Sequence, residues 1–259
     1  MVSVRYEFCA GASTQIIPVL IKGIQDSIDD VRAAASDSFV PFIKGGLLQD
    51  PDTVLSLLWE TLAELDDITA STGSILNLIG EIYASSTFAS VKPEGGDQSN
   101  HSLSQLIPKV YIFFRHTILS VRLSVLKTLE RLIRTYTSSK DEWMPAVLPY
   151  TLQMLIQNIL TEEHEPVIVA SESLWKEILN MATPQQIMQS VQITQANSWL
   201  KIAATPTDDY YAKGMLYNPS PDALSERPVD ILKAETRTRM PALRCLAHFC
   251  NKYPVDQSG

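Results

Sequence analysis

The sequence predicts an all-α protein, and three observations lead to that fold class. Apolar residues recur at helical spacing almost throughout, as in Ile16, Ile17, Leu20, Ile21 and Ile24, which share one helix face. No segment alternates strictly between apolar and polar residues, and no Asn-Gly or Asp-Gly hairpin signal occurs. A short sequence motif also recurs along the chain, which indicates an array of similar units.

Start signals divide the helical pattern into short helices joined by short turns. Ser27 followed by Asp30 resembles a capping box and predicts a helix start there. Asp50-Pro51 and Thr183-Pro184 each place a proline near the first position of a helix, where its missing N–H costs nothing. Helices joined in this way are predicted to pair as hairpins.

The repeated pattern is a Val-Arg pair inside a predicted helix. Val31-Arg32 and Val121-Arg122 stand at the same point of their helices, and each follows an Ile-Pro pair whose proline lies thirteen residues before the valine. A single hairpin cannot bury its apolar face alone, whereas stacked copies form a continuous core and repeat their packing residues. The pattern therefore predicts an α-solenoid of HEAT-type helix hairpins.

Four apolar anchors follow the turns of successive hairpins and are predicted to be buried at equivalent places. They are Val31, Ile68, Val121 and Val167, with spacings of 37, 53 and 46 residues. HEAT repeats are about 40–47 residues long. An inserted loop over residues 86–102, rich in Gly, Ser, Asn and Pro, accounts for the long second spacing.

The predicted organisation is a single HEAT-repeat array over residues 1–259, with about five to six hairpins, the first and last incomplete. A second irregular segment, residues 204–228, is proline-rich and has no helical period, so it is predicted to be a surface loop. A last helical segment follows it, with Pro241 predicted to mark a kink or a new start.

Arg32 and Arg122 are predicted to lie beside the seam between repeats, where each can pair with an acid of its own or the adjacent repeat. The usual partner position, five residues before the anchor, holds Asp26, Ala63, His116 and Glu162 in the four repeats. The ladder of ion pairs is therefore partial.

Composition narrows the class of protein. The net charge of -8 argues against nonspecific nucleic-acid binding, which needs a basic surface, and fits a basic protein partner. Three cysteines without a CxxC motif are typical of free thiols in a reducing compartment. We expect neither a signal peptide nor a membrane span, because no apolar run approaches the ~18 residues that a spanning helix needs.

Motifs of catalysis are missing from the sequence. There is no GxxxxGK[ST] phosphate loop and no GxSxG elbow. His164-Glu165 begins an HExxH look-alike, but Pro166 interrupts it and its fifth residue is Ile168. Cys245, His248 and Cys250 do not share one helix face, so buried thiols are the simpler interpretation. We predict a non-catalytic chain with no cofactor, no metal and no small-molecule substrate.

Four tryptophans lie within helical patterns, at positions 59, 143, 175 and 199. Packing anchors in the core or along a groove are a simpler interpretation than stacking against a cofactor.

Two stretches carry a specific resemblance. They are "GIQDSIDDVRAAASDSFVPF" and "LLWETLAELDDITASTGSILNLIGEIY", and "LIPKVYIFFRHTILSVRLSVLKTL" fits the next repeat. They resemble the N-terminal region of the TATA-binding-protein-associated Swi/Snf-type ATPases, the modifier-of-transcription family. The resemblance covers about residues 14–182 and 235–250, and it is not apparent over 204–230.

The resemblance implies a nuclear α-solenoid that grips TATA-binding protein and helps to remove it from promoter DNA, with DNA contacted only indirectly. It places the ATPase motor in a C-terminal domain that this chain lacks. The chain is therefore expected to be an internal piece that begins in one repeat and ends after another.

The predicted partner contacts are acidic residues on the turns, because the turns inside successive hairpins project along one edge. They are Asp29, Asp30, Glu64, Asp66, Asp67, Glu162, Glu163 and Glu165. An acidic stripe would attract the basic partner that the resemblance implies. The alternative is that these acids only solvate turns and favour helix N-termini.

Two other functions stay open from the sequence. A generic HEAT adaptor for another protein partner would have more regular repeats and no need of the "ELDDITAST" block. An enzyme with an unfamiliar all-α site would need polar groups that converge in a pocket, and none is evident.

Overall fold

A computed structural model describes residues 14–66, 68–85, 103–194 and 236–252, with the side chains of 191–194 and 236–239 not included. All regular structure in these residues is helical, which confirms the all-α prediction. The α-helices are α1 (14–24), α2 (Asp29–Lys44), α3 (Pro51–Glu64), α4 (Ser71–Ala84), α5 (Leu103–Val110), α6 (Leu119–Thr135), α7 (Lys140–Thr161), α8 (Glu165–Met181), α9 (Pro184–Thr194) and α10 (Thr236–Lys252). Two short 3-10 helices, Tyr111–Arg115 and Thr137–Ser139, follow α5 and α6.

The predicted loops 86–102 and 204–228 lie outside the described residues, as do Asp67, Trp199 and Cys9. The described helices form two compact units. Unit 1 contains α1–α4 and α6, and unit 2 contains α5 and α7–α10. A single array over 1–259 stays a prediction.

In unit 1, helix α4 lies between α2 and α6 and packs against both. Its sequence explains how three helices fit side by side, because small residues stand on the face toward α6. A Cβ added at Gly80 would lie 3.0 Å from Thr128 Cγ2, and one added at Gly73 would lie 3.2 Å from Ser124 Oγ. The close approach lets Thr128 Oγ1 donate to the Leu76 carbonyl at 3.1 Å. The small residues of the "TASTG" block thus have a packing role.

In unit 2, helix α7 packs against α5, α8, α9 and α10. It is apolar on most sides, and Trp143, Leu152 and Ile156 are among its buried residues. Two polar groups inside this core are paired, since the hydroxyls of Tyr111 and Thr151 lie 2.7 Å apart. A helix that is apolar on most sides is buried on most sides, and among the residues of α7 that stay exposed is Tyr150, at 38%.

The sequence located several helix starts correctly. Asp50 caps α3 by accepting the Thr53 N–H at 3.1 Å, with Pro51 in the first position. Thr183 and Gln186 form a reciprocal capping box at α9, with hydrogen bonds of 3.3 and 2.9 Å. The predicted box at Ser27 is wrong, because α2 begins after Ile28 without a side-chain cap.

Two of the four predicted anchors are buried and two are not. Val121 and Val167 are fully buried, as predicted. Val31 is 38% exposed and Ile68 is 72% exposed, so the prediction of burial is wrong for both.

The two errors have different causes. Val31, Val121 and Val167 are each the third residue of their helices, whereas the third residue of α4 is the buried Gly73 and not Ile68, which lies in the preceding turn. Val121 packs against Gly73 of α4, the helix that lies beside α6 and precedes it in the chain. Helix α1 precedes α2 and contacts it at Ala35, where a Cβ added at Gly23 would lie 2.7 Å from the Ala35 Cβ, but the Val31 side chain in the first turn of α2 is left 38% exposed.

The tryptophans and thiols are placed mostly as expected. Trp143 and Trp175 are buried, and the Trp175 indole N–H donates to the Cys245 carbonyl on α10 at 2.9 Å. Trp59 is half-buried. Cys245 is buried, but Cys250 is exposed, so the interpretation of both as buried thiols is wrong for Cys250. Helix α10 runs through Pro241 without a new start.

Candidate partner-binding edges

The turns that precede α2, α4 and α6 lie next to each other at one edge of unit 1. Contacts between the first residues of these helices establish the arrangement. The Asp29 carboxylate at the start of α2 accepts the backbone N–H groups of Ala70 and Ser71, where α4 begins, at 3.0 and 3.1 Å. Val121 at the start of α6 lies against Gly73 of α4. We call residues 25–30, 64–66, 68–70 and 116–119 the turn edge of unit 1.

The repeated arginine closes the turn that precedes its own helix. Arg32 donates to the Asp26 backbone carbonyl at 2.6 Å and to the Asp29 carboxylate at 3.2 Å. The buried Arg122 donates to the carbonyls of His116 and Thr117 at 2.7 and 2.9 Å. A guanidinium offers several donors in a fixed plane, which suits a turn with several unpaired carbonyls.

Asp26, five residues before the anchor Val31, was predicted as the ion-pair partner of Arg32, and the structure shows a different contact. Asp26 meets Arg32 through its backbone carbonyl, and its carboxylate instead accepts the Ile28 N–H at 2.9 Å. The carboxylate partner of Arg32 is Asp29.

Asp29 is committed to contacts within the protein. Burial alone would raise the pKa of this carboxyl, but the hydrogen bonds from Ser71, Ala70 and Arg32 outweigh that effect and lower the pKa below its usual value. The carboxylate caps a helix of the neighbouring hairpin and satisfies N–H groups that have no partner inside that helix.

Other predicted contact residues of unit 1 face solvent. Asp30, Glu64 and Asp66 are exposed, one beside the first turn and two beside the second. Asp67 lies outside the described residues. The third turn carries no acid, since it runs from His116 to Ile118.

The acidic turn of unit 2 precedes α8, and it too has one acid that makes contacts within the protein and others that are exposed. Glu162 is buried, and its carboxylate accepts the N–H groups of Glu163 and His164 at 2.9 and 3.0 Å. Glu163 and Glu165 are exposed. Of the eight acids predicted from the sequence, Asp29 and Glu162 hold turns and helix starts, and five present carboxylates to solvent.

One polar cluster in unit 2 was not predicted. Glu172 on α8 accepts two hydrogen bonds from Arg244 on α10, at 2.8 and 2.6 Å, and a third from Lys176 at 2.8 Å. These bonds from Arg244, followed by those from Lys176, lower the pKa of Glu172 to about 2. Glu172 and Arg244 are 72 positions apart in the sequence, which explains why no local pattern indicated the pair.

The edges carry exposed carboxylates. In the part of the chain that the structure describes, no group of three or more His, Cys, Asp or Glu side chains is arranged to hold a metal ion. No helix of the described ranges has the length and apolar character needed to span a membrane. Exposed carboxylates on fixed turns provide an electrostatic surface for a partner of opposite charge.

Comparison with known proteins identifies relatives of one kind. The chain is 33% identical over 241 residues to the TATA-binding protein-associated factor BTAF1 of Arabidopsis thaliana, a match that covers 80% of this chain and 12% of the relative. It is 31% identical over 208 residues to the TATA-binding protein-associated factor 172 of Homo sapiens, covering 79% of this chain and 11% of the relative. No protein-family model matches the chain.

A more distant relative has the same description. The TATA-binding protein-associated factor MOT1 of Saccharomyces cerevisiae is 26% identical over 184 residues, covering 69% of this chain and 10% of the relative. The chain thus spans about a tenth of the length of the curated relatives that it matches. On these matches, which agree with the resemblance seen in the "DDVRAAASDSF" and "ELDDITASTGSI" stretches, the chain belongs to the family of TATA-binding protein-associated factors that includes BTAF1 and MOT1.

Proposed function

We propose that this chain is a protein-binding scaffold segment of a transcription regulator, built as a HEAT-type α-solenoid. In this proposal it binds TATA-binding protein in the nucleus and helps to remove it from promoter DNA. The chain itself is non-catalytic and provides the grip, while an ATPase motor belongs to another part of the regulator.

The observation that carries the proposal is the turn edge of unit 1. Helices α2, α4 and α6 are neighbours, and the contacts from Asp29 to Ser71 and from Val121 to Gly73 hold their first residues side by side. Repeated hairpins whose turns share an edge are the means by which solenoids build extended binding surfaces. The names of the relatives supply the partner to test.

We further propose that exposed carboxylates on these turns attract the partner. Asp30, Glu64 and Asp66 present negative charge on unit 1, and Glu163 and Glu165 do so on unit 2. Asp29, Asp67 and Glu162 complete the predicted set, but Asp29 and Glu162 act mainly by fixing their turns. Such charges affect the rate of association more than the final affinity, and salt weakens their effect.

The test is the association rate of the 259-residue chain with TATA-binding protein at several salt concentrations. The double variant Asp30→Lys with Asp66→Lys reverses the charge at two positions of the turn edge and leaves the Asp29 contacts intact. A matched control, Asp37→Lys with Glu142→Lys, makes the same change in net charge at exposed sites within α2 and α7. Helical circular dichroism verifies that both variants fold.

We expect association to slow several-fold in the turn variant at low salt, and the difference to shrink as salt rises. Equal rates for the turn variant and the control would refute the acidic edge. Failure of the unaltered chain to bind TATA-binding protein at all would favour the alternative, an adaptor for another protein partner.

A further inference from the structure

Unit 2 has a groove beside its acidic turn, between helices α8 and α10. Its volume is about 400 Å³. The floor and walls are mostly apolar and consist of Ile168, Val169, Met240 and Pro241. Glu163 and Glu165 lie at one end, and the pair of Glu172 and Arg244 closes the other.

The apolar walls are open to solvent. Val169 is 56% exposed and Met240 is 49% exposed, while Ile168 beneath them is 5% exposed. A single exposed apolar residue needs no explanation, but two from different helices line the same groove here. Met is also a side chain that adapts its shape to varied partners.

The two ends of the groove differ in charge. Glu172 is held by Arg244 on the neighbouring helix and by Lys176 on its own helix, so two cations face one carboxylate at that end. Glu163 and Glu165 face solvent at the other end, beside the first turn of α8. A cation that approaches this end of the groove would meet these two carboxylates beside the apolar walls.

We propose that this groove docks a short segment of a protein partner that presents an apolar side chain with a Lys or Arg within one helical turn of it. The apolar side chain enters between Val169 and Met240, and the cation approaches Glu163 and Glu165. The site lies wholly within unit 2 and does not depend on TATA-binding protein being the partner.

Size and charge favour this occupant. The volume lies in the range of about 300–1,000 Å³ that is typical of ligand pockets, and a groove of about 400 Å³ suits side chains rather than a whole helix face. A buried apolar anchor supplies most of the affinity in such contacts, and rim charges supply orientation and on-rate.

The probe is a fluorescent helical peptide with two Leu residues four positions apart, each flanked by Lys, titrated into the full 259-residue chain and followed by anisotropy. A second peptide carries Glu in place of every Lys. The Met240→Lys variant tests the wall, and Leu243→Lys is its matched control, because Leu243 is 50% exposed on the same helix and does not line the groove.

The rim is tested separately. Glu163→Gln with Glu165→Gln removes the two carboxylates, and Asp30→Asn with Asp66→Asn removes two exposed carboxylates from unit 1 as the control. Methyl NMR of Met240 in the unaltered chain reports directly on whether the peptide enters the groove.

We expect the Lys peptide to shift the Met240 methyl signal and to bind about tenfold more weakly to Met240→Lys and to the Glu163 and Glu165 double variant, a loss of about 1.4 kcal/mol. Neither control should change binding by more than about twofold, the usual size of effects at uninvolved surface sites. The Glu peptide should bind at least about tenfold more weakly than the Lys peptide.

Equal binding of the two peptides, or equal losses in Met240→Lys and Leu243→Lys, would overturn the proposal. Two other occupants have their own signatures in the free protein. A Met240 signal that moves with protein concentration would assign the groove to a second copy of the chain. A signal that moves when residues 204–228 are deleted would assign it to that segment, and either result contradicts the proposal.

Discussion

Glu172 holds two cations, one on its own helix and one on the next helix of unit 2. The carboxylate is mostly buried, while Arg244 is 52% exposed and Lys176 is 45% exposed. Ion pairs with one solvent-facing partner contribute modestly, because water screens the attraction. The bidentate geometry from Arg244 makes this pair stronger than an ordinary surface pair.

We expect Glu172→Gln to lower the free energy of unfolding by about 1 kcal/mol at neutral pH. The folded pKa of about 2 lies below the unfolded value of 4.5, so the charged carboxylate stabilises the fold fully above pH 4.5 and loses its effect as pH falls toward 2. Urea unfolding of both proteins between pH 7 and pH 2 measures the difference.

The gap between unaltered chain and variant should close across that acidic window. Glu60→Gln, at an exposed site in the interior of α3, serves as the control and should leave stability unchanged at every pH. A gap that persists at the acidic end would show that Glu172 acts through packing and not through its charge.

The two described cysteines differ in reactivity for a reason visible in their burial. Burial raises the pKa of the Cys245 thiol to about 12, whereas Cys250 is exposed. Because the thiolate is the reactive species, we expect iodoacetamide to modify Cys250 in the folded chain and Cys245 only after unfolding. Peptide mapping by mass spectrometry distinguishes the two sites. Comparable labelling of both thiols in the folded state would contradict the burial of Cys245.

At the scale of elements, the start of one helix is stabilised by the start of its neighbour. Asp29 belongs to the first turn of α2, yet its carboxylate accepts the N–H groups at the start of α4. The N-cap residue of α4 is Ala70, whose side chain makes no capping hydrogen bond. The cap of one hairpin is therefore supplied by another, and this couples their stability.

We expect Asp29→Ala to lower the free energy of unfolding by about 1–2 kcal/mol, since it removes two N–H acceptors and a partner of Arg32. Asp30→Ala is the matched control, because Asp30 is the next residue, carries the same charge and is exposed. Its effect should stay within about 0.5 kcal/mol. Urea denaturation measures the loss of stability in both variants. Equal losses would show that Asp29 contributes only as a negative charge in the first turn of α2.

At the scale of the whole molecule, we propose that the chain acts as a scaffold, and its sequence lacks the phosphate loop of many nucleotide hydrolases. Its 259 residues contain no GxxxxGK[ST] loop. Such a loop places backbone N–H groups around the phosphates.

We therefore expect the purified chain to hydrolyse no ATP above the buffer blank, with or without TATA-binding protein. A coupled phosphate-release assay measures the rate. Turnover that survives repeated purification and follows the chain through gel filtration would contradict the non-catalytic role that we propose.

The sequence by itself determined the helical class, several helix starts and the family. Helical periodicity and capping chemistry are local, so Asp50-Pro51 and Thr183-Pro184 were sufficient to locate α3 and α9. The Val-Arg repeat located the equivalent positions of Val31 and Val121, and the structure confirms that both are the third residue of their helices.

Only the tertiary structure decided which of these residues are buried and which charges are free. Burial depends on a neighbouring helix, and so Val121 is covered by α4 while Val31 is exposed at the same place in its helix. In the same way, Asp29 and Asp30 are alike in the sequence, yet the direction of each side chain gives one a helix start to cap and leaves the other to solvent. Pairs such as Glu172 and Arg244 join helices distant along the chain, and no local pattern specifies that distance.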